Sequence, residues 1–197
     1  SETPPNGTGS RQGVPLEELP ASVSSIQAED LRVRGVNNLD EALTLTTGVS
    51  PTWQYGGFLH IGLRGMQAVT LFDGHRDSRA IFADSAPQQG VFDLERIEVL
   101  RGPTSVLYGY GAVGGVINLV RKQASRRSAY EIDFGLGLPN QQVLHAGAQG
   151  PIGEHLAYRI DLGRVTRTDY RGALTERNQV STVLRYTPSS RHTFDLR

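Results

Sequence analysis

The chain has 197 residues, enough for one ordinary domain or one domain plus part of another. Lys and Arg total 20 and Asp and Glu total 20, so the charge balance gives no case for nucleic acid, and 38% apolar residues is low for a dense soluble core. No cysteine is present, which excludes a disulfide scaffold and a thiolate metal site. No apolar run reaches the roughly 18 residues of a transmembrane helix, although a transmembrane strand needs only about 10 alternating residues.

Residues 1–13 are rich in Ser, Thr, Pro, Asn and Gly and are expected to form a flexible arm. No leader peptide is visible, and Ser1 is expected to follow a removed leader or a trimmed end. Val23-Ser24-Ser25-Ile26 reads as a short strand and Gln27 to Leu31 as a helical turn. Asn38, with Glu41 three residues on, reads as a capping box that opens a helix through Leu39, Ala42, Leu43 and Thr46, ended by Gly48. Leu59, Ile61 and Leu63 alternate before Arg64-Gly65, and Val69 and Leu71 before the turn dipeptide Asp73-Gly74. Residues 75–91 read as a long loop. The alternation Leu94-Glu95-Arg96-Ile97-Glu98-Val99-Leu100-Arg101 then breaks at Gly102-Pro103. Thr104 to Tyr108 reads as a helical turn with proline at its first position, and Val116 to Val120 as a further strand. Residues 14–122 thus form a small α/β domain.

The pattern changes near Ser125. Tyr130, Ile132, Phe134 and Leu136 alternate with charged or small residues, as do Leu144, Ala146 and Ala148; Leu156, Tyr158, Ile160 and Leu162; and Val180, Thr182, Leu184 and Tyr186. Phe194 and Leu196 start a fifth strand. Pro139-Asn140 and Gly150-Pro151-Ile152-Gly153 mark tight turns, and Arg167 to Gly172 opens a longer loop. Short turns on one rim and longer loops on the other suit an outer-membrane barrel, whereas the outer sheet of a soluble sandwich would show the same alternation. Four or five strands cannot close a wide barrel, and the chain stops within a strand at Asp195-Leu196-Arg197. It is therefore expected to be the N-terminal portion of a longer polypeptide.

Enzyme chemistry finds no constellation. Gly109 to Gly114 matches G-x-G-x-x-G, but it follows a helical turn and opens a β-run, the reverse of a dinucleotide fingerprint. His60, His75, His145, His155 and His192 form no short-spaced ligand group, so no dedicated zinc site is expected. G-x-S-x-G is absent, and Asp73 is better explained by its turn than by a role with Asp77.

The motifs in order resemble the plug domain of TonB-dependent outer-membrane receptors, of the ferric-siderophore type. Leu19-Pro20-Ala21-Ser22-Val23 resembles the first plug segment, Asn38 to Leu43 its first full helix, and Gly48-Val49 the end of a Pro-Gly-Val motif in which Thr47 replaces proline. Leu63-Arg64-Gly65, Phe72-Asp73-Gly74 and residues 94–120 carry the rest. The resemblance implies a flexible arm over 1–13, a plug over 14–122, and over 123–197 the first antiparallel strands of a 22-stranded transmembrane β-barrel. It implies active import of a ferric siderophore across the bacterial outer membrane, driven by the TonB energy-coupling protein with its inner-membrane complex. Outer-membrane lipid is the other implied partner. No covalent cofactor, metal ligand set or nucleic-acid partner is implied. Substrate-facing candidates are Trp53, Gln54, Tyr55, Met66, Gln67, Arg79 and Phe82, since aromatic faces and arginine suit an anionic chelate. Arg64, Glu95, Arg96, Glu98 and Arg101 are expected to hold the plug against inward charges of the barrel, with an ordinary solvated charge row as the alternative. Other chelates such as cobalamin or haem, a surface-signalling receptor, and a soluble periplasmic binding module stay open. No segment is identified as the TonB box.

Overall fold

The computed structural model describes residues 22–53, 59–76, 85–86, 90–102, 108, 112–137, 140–168, 172, 174–189 and 192–197. The expected arm, the helical turn at 104–107 and the candidates Gln54, Tyr55, Arg79 and Phe82 lie outside them. Two units divide the chain, one ending at Arg121 and the other spanning Lys122–Arg197.

Among the described residues, the first unit holds two sheets and two short helices. Strand β1 (Ser22–Gln27) leads into helix α1 (Ala28–Val33), whose first turn carries Glu29 and Asp30 toward the positive end of the helix dipole. Helix α2 (Leu39–Thr44) follows. Six residues are too few for a stable isolated helix, so these two persist because Leu31, Leu39, Ala42 and Leu43 are buried in the main core. Asn38 occupies the N-cap position of α2, but its side chain makes no capping bond; its backbone bridges Gly90 and it is buried. The helix also ends earlier than expected. Thr46 N–H donates to Leu43 O and Val49 N–H to Thr46 O, tightening the chain into turns, and Gly48 at φ +79 closes those turns rather than the helix.

Strand β2 (Val49–Trp53), which the sequence reading lacks, pairs with β3 (Leu59–Leu63) in a small sheet that also contains β4 (Met66–Gln67) and β7 (Ser85–Ala86). Pro51 sits in β2 because that strand pairs on one side only. The larger sheet has the order β1-β8-β9-β5-β6, with β5 (Val69–Phe72), β6 (His75–Arg76), β8 (Leu94–Arg101) and β9 (Gly115–Arg121). Its pairs are antiparallel except β5 with β9. Two hairpins use two-residue turns with both φ values positive, Arg64-Gly65 at 52 and 76 and Asp73-Gly74 at 50 and 79, the geometry that matches strand twist. Gly115 opens β9 at φ +137, where a Cβ would collide with the Leu100 carbonyl oxygen and the Leu63 side chain. The core gathers Leu31, Leu43, Ile61, Leu94, Ile97 and Leu119, all almost fully buried.

The second unit is one antiparallel meander, β10 (Ala129–Gly137), β11 (Gln141–Ile152), β12 (Leu156–Thr168), β13 (Leu174–Ser189) and β14 (His192–Leu196), in sequence order. The strands run longer than the alternation indicated. Gly150 and Pro151 pair with Tyr158 and Ala157 inside β11, so the turn is Gly153 to His155. Proline is tolerated there because the β10 ladder ends at Gln149, leaving no partner for a donor on that side. Arg167 and Thr168 likewise extend β12 by pairing with Thr175 and Leu174. The faces are inverted relative to a soluble sheet. Tyr130, Ile132, Phe134, Leu136, Leu162 and Val180 point outward, Ile132 at 80% exposure, while His145 on the opposite face is 2% exposed and Arg159 and Asp161 are buried.

Candidate functional site

The charged residues of β8 are set by its alternation. Arg96, Glu98 and Leu100 share one face, and Ile97 and Val99 the other, yet both faces are buried. Arg96 Nε donates to Glu98 Oε1 at 2.8 Å, and its Nη1 to Glu95 Oε1 at 3.2 Å. Asn118, cross-strand neighbour of Glu98, donates from Nδ2 to Glu98 Oε2 at 3.1 Å. Glu98 is 1% exposed and both its oxygens are engaged by its own unit. Arg96 Nη2 is buried and finds no acceptor among the described residues. The network continues to the β5–β6 turn: Gly74 N–H donates to Asn118 Oδ1 at 2.9 Å, and Arg121 grips Asp73 twice, from its backbone N–H at 2.9 Å and from Nε at 2.7 Å. A buried ion pair gains little over apolar packing, but removing one partner strands a charge and costs about 3–5 kcal/mol.

Arg64 and Arg101, far apart in sequence, meet at the turn Thr47-Gly48. Arg64 N–H donates to Gly48 O at 2.9 Å, and Arg101 Nε donates to Thr47 O at 3.2 Å. Among the described residues neither has a carboxylate partner. Arg64 holds φ +52, a conformation costly for a residue with a side chain. Glu95 is the exposed member of the β8 set.

Three substrate-facing candidates are described, and they do not form one group. Trp53 is 42% exposed and donates from Nε1 to Asp40 Oδ2 at 3.2 Å. It pairs with Leu59 at the start of β3, whereas Met66 pairs with Leu63 at the strand's end and Gln67 with Gly62. Four residues of strand separate them, about 13 Å at the usual rise. Met66 is exposed, and Gln67 is half-buried with no partner for Nε2 among the described residues.

The second unit carries a charge cluster that sequence reading missed. His145 lies between two carboxylates, Nδ1 at 3.0 Å from Asp133 Oδ2 and Nε2 at 3.1 Å from Asp161 Oδ1. Arg159 holds Asp161 through Nε at 2.7 Å and reaches Glu131 through Nη2 at 3.3 Å, and Lys122 Nζ holds Glu131 at 2.8 Å. The convergence follows from register: Glu131 and Asp161 are both cross-strand neighbours of Gly147, where a Cβ would stand 2.9 Å from Asp161 Oδ1. Glu131, His145 and Asp161 offer ligand atoms within 4.8 Å of one another, but both carboxylates already carry cationic partners, so the chemistry is that of an ion-pair network joining three strands. Further along, Arg185 clasps Asp195 with two bonds, at 2.7 and 2.8 Å.

Comparison with known proteins agrees with these features. The model of the TonB-dependent receptor plug domain matches residues 15–116. The ferrichrome outer membrane transporter/phage receptor of Escherichia coli K12 is 30% identical over 137 residues, covering 67% of this chain and 18% of the relative. The ferric enterobactin receptor of Pseudomonas aeruginosa is 33% identical over 177 residues, covering 75% and 23%. Among solved structures, the siderophore receptor PiuA of Acinetobacter baumannii superposes with a TM-score of 0.81 at 24% identity over 95% of this chain and 27% of its own. The ferripyoverdine receptor of Pseudomonas aeruginosa gives 0.81 at 20%, covering 93% and 25%. The chain thus spans roughly a fifth to a quarter of these proteins, and the two structures share its fold. With more than half its length matched by the plug model, and with Leu63-Arg64-Gly65, Phe72-Asp73-Gly74 and the β8–β9 pair in place, the chain belongs to the TonB-dependent receptor family.

Proposed function

We propose that the chain is part of an outer-membrane importer that takes up a ferric siderophore, with residues 14–122 as its plug and 123–197 as the first strands of a lipid-embedded barrel. The observation that carries this reading is the inverted sheet. Five strands turn Ile132, Phe134, Leu162, Val180 and Phe194 outward and bury His145, Arg159 and Asp161. Water would penalise that arrangement, whereas a bilayer outside and a polar lumen inside stabilise it. The plug motifs supply the gate, and the siderophore class follows from what the named relatives carry.

In this reading Arg64 and Arg101 face carboxylates of the barrel wall, because two arginines at one turn, without acidic partners among the described residues, suit an anionic surface. Glu95 meets a wall cation. Arg96 and Glu98 act through β8, stiffening the strand that presents Arg101. Trp53, Met66 and Gln67 face the substrate at two separate points, which suits a chelate broader than a single side-chain pocket. The siderophore brings its own iron chelation, so import is conformational gating with no covalent step: the energy-coupling protein TonB pulls on the plug and opens a path.

Uptake of labelled ferric chelates in cells with and without the full receptor, each with and without the coupling protein, tests this. Uptake that requires both supports the reading; equal uptake in all four strains removes it.

A further inference from the structure

The outward face of the second unit ends differently at its two edges. At the edge where the chain enters the sheet, aromatic residues sit just inside the strand ends. Tyr130 is the second residue of β10, Tyr158 the third of β12 and Phe194 the third of β14, and Tyr186 lies three residues before the end of β13. The ladders put all four on the face of Ile132 and Ile160. Just ahead of Tyr130 come Arg126 and Arg127, both exposed. Arg126 Nη2 donates to Gly153 O at 3.4 Å, and Gln149 Nε2 donates to Arg127 O at 3.3 Å, so both residues are tied to the edge where β11 turns into β12. Neither arginine has a carboxylate partner among the described residues. Lys122, by contrast, is taken by Glu131 at 2.8 Å. Two hydroxyls lie close by: Ser128 Oγ and Tyr158 Oη stand 3.2 Å and 3.7 Å from the point a Gly150 Cβ would occupy. Toward the opposite edge, Arg164 on the same face is already neutralised by Glu176 at 2.9 Å.

We propose that Arg126, Arg127, Ser128 and Tyr158 form a site for the phosphate of an anionic phospholipid headgroup in the periplasm-facing leaflet, with the acyl chains lying along Ile152 and Ile160. The inference rests on the import reading above, in which this face meets the bilayer. Guanidinium groups offer paired N–H donors that match phosphate oxygens, and hydroxyls donate to the oxygens left over. Aromatic girdles mark the headgroup level of a barrel, so cations just past the tyrosines stand at the depth of the phosphates. Ile152 and Ile160 are exposed on the bilayer side of that level. The leaflet follows from the connections. At the opposite edge five residues separate β12 from β13, whereas here three separate β11 from β12 and two separate β13 from β14. Outer-membrane barrels keep their short turns on the periplasmic side. Two uncompensated arginines at a lipid surface favour an anionic over a zwitterionic headgroup, and the paired Arg164 does not.

The chain has no cysteine, so a single thiol carries a local probe in a full receptor free of other reactive thiols. Ile152→Cys and Leu162→Cys receptors, each labelled with bimane, are reconstituted into phosphatidylcholine bilayers. Part of the lipid is replaced by brominated phosphatidylglycerol or, in equal amount, by brominated phosphatidylcholine. Bromine quenches bimane on contact, so the ratio of the two quenching strengths reads local enrichment. The expected result is an enrichment of phosphatidylglycerol of about fivefold or more at Ile152→Cys and none at Leu162→Cys. Adding Arg126→Gln/Arg127→Gln is expected to bring the Ile152→Cys ratio to about one, and Arg126→Lys/Arg127→Lys, which keeps the charge, to preserve most of the enrichment. Equal quenching by both lipids at Ile152→Cys, equal enrichment at Leu162→Cys, or an enrichment that survives the glutamine variant overturns the proposal and leaves the barrel reading standing. Quenching by neither lipid at either position places the face outside the bilayer and removes the barrel reading, and the proposal with it.

Discussion

The plug sheet and the barrel sheet use the same alternation to opposite ends. In β8 the apolar residues Ile97 and Val99 face a shared core, and the intervening charges are buried in pairs. In the β10–β14 sheet Ile132, Phe134, Leu162 and Val180 are exposed on one face, while His145, Arg159 and Asp161 are buried on the other. Period-two patterning therefore fixes which residues share a face but not which face is wet. The deciding information lies in what the polar face does. Here it is knitted into ion pairs across β10, β11 and β12, an arrangement that a sheet packed on an oily core would not contain.

Substitutions can break that contrast. The largest effect is expected at Glu98→Ala, which strands the buried Arg96 guanidinium. Hydrogen exchange of β8 and β9 amides in the full receptor should show a loss of about 3–5 kcal/mol. Ile97→Ala in the plug core should cost about 2–5 kcal/mol by the same measurement. Ile132→Arg, on the exposed face of β10, should cost about 2–4 kcal/mol in refolding into bilayers if that face meets the hydrocarbon, and almost nothing if it meets water. Arg64→Gly relieves φ +52 and should stabilise its hairpin by about 1 kcal/mol while lowering uptake, which separates turn geometry from the wall contact. The smallest effect is at Glu29→Ala, which removes the exposed pair with Arg32 and should change plug stability by about 0.5 kcal/mol or less.

The sequence showed the alternating elements and missed what depends on register. Strands β3, β5, β8 and β9 were legible from Leu59, Val69, Ile97 and Val116 because each places apolar residues at every second position. Strand β2 was not, since it is an exposed edge interrupted by Pro51. Gly150-Pro151 read as a turn because the dipeptide favours one, but its position beyond the last β10 pair lets proline stay in the strand. The cluster of His145, Asp133 and Asp161 joins residues 12 and 16 positions apart, a proximity that exists only once the hairpin registers are known. The meeting of Arg64 and Arg101 at Thr47-Gly48 is likewise a product of packing, although each residue was marked as a wall contact from its motif.

The central claim is that the outward face of the β10–β14 sheet lies in lipid. Single spin labels at Ile132, Ile160 and Val180, and at Asp133 and Asp161 as opposite-face controls, read this directly in a full receptor reconstituted into bilayers. Collisional broadening should be strong with oxygen and weak with a water-soluble nickel chelate at the first three positions. Strong broadening by the nickel chelate at Ile132, Ile160 and Val180 would place that face in water and contradict the account.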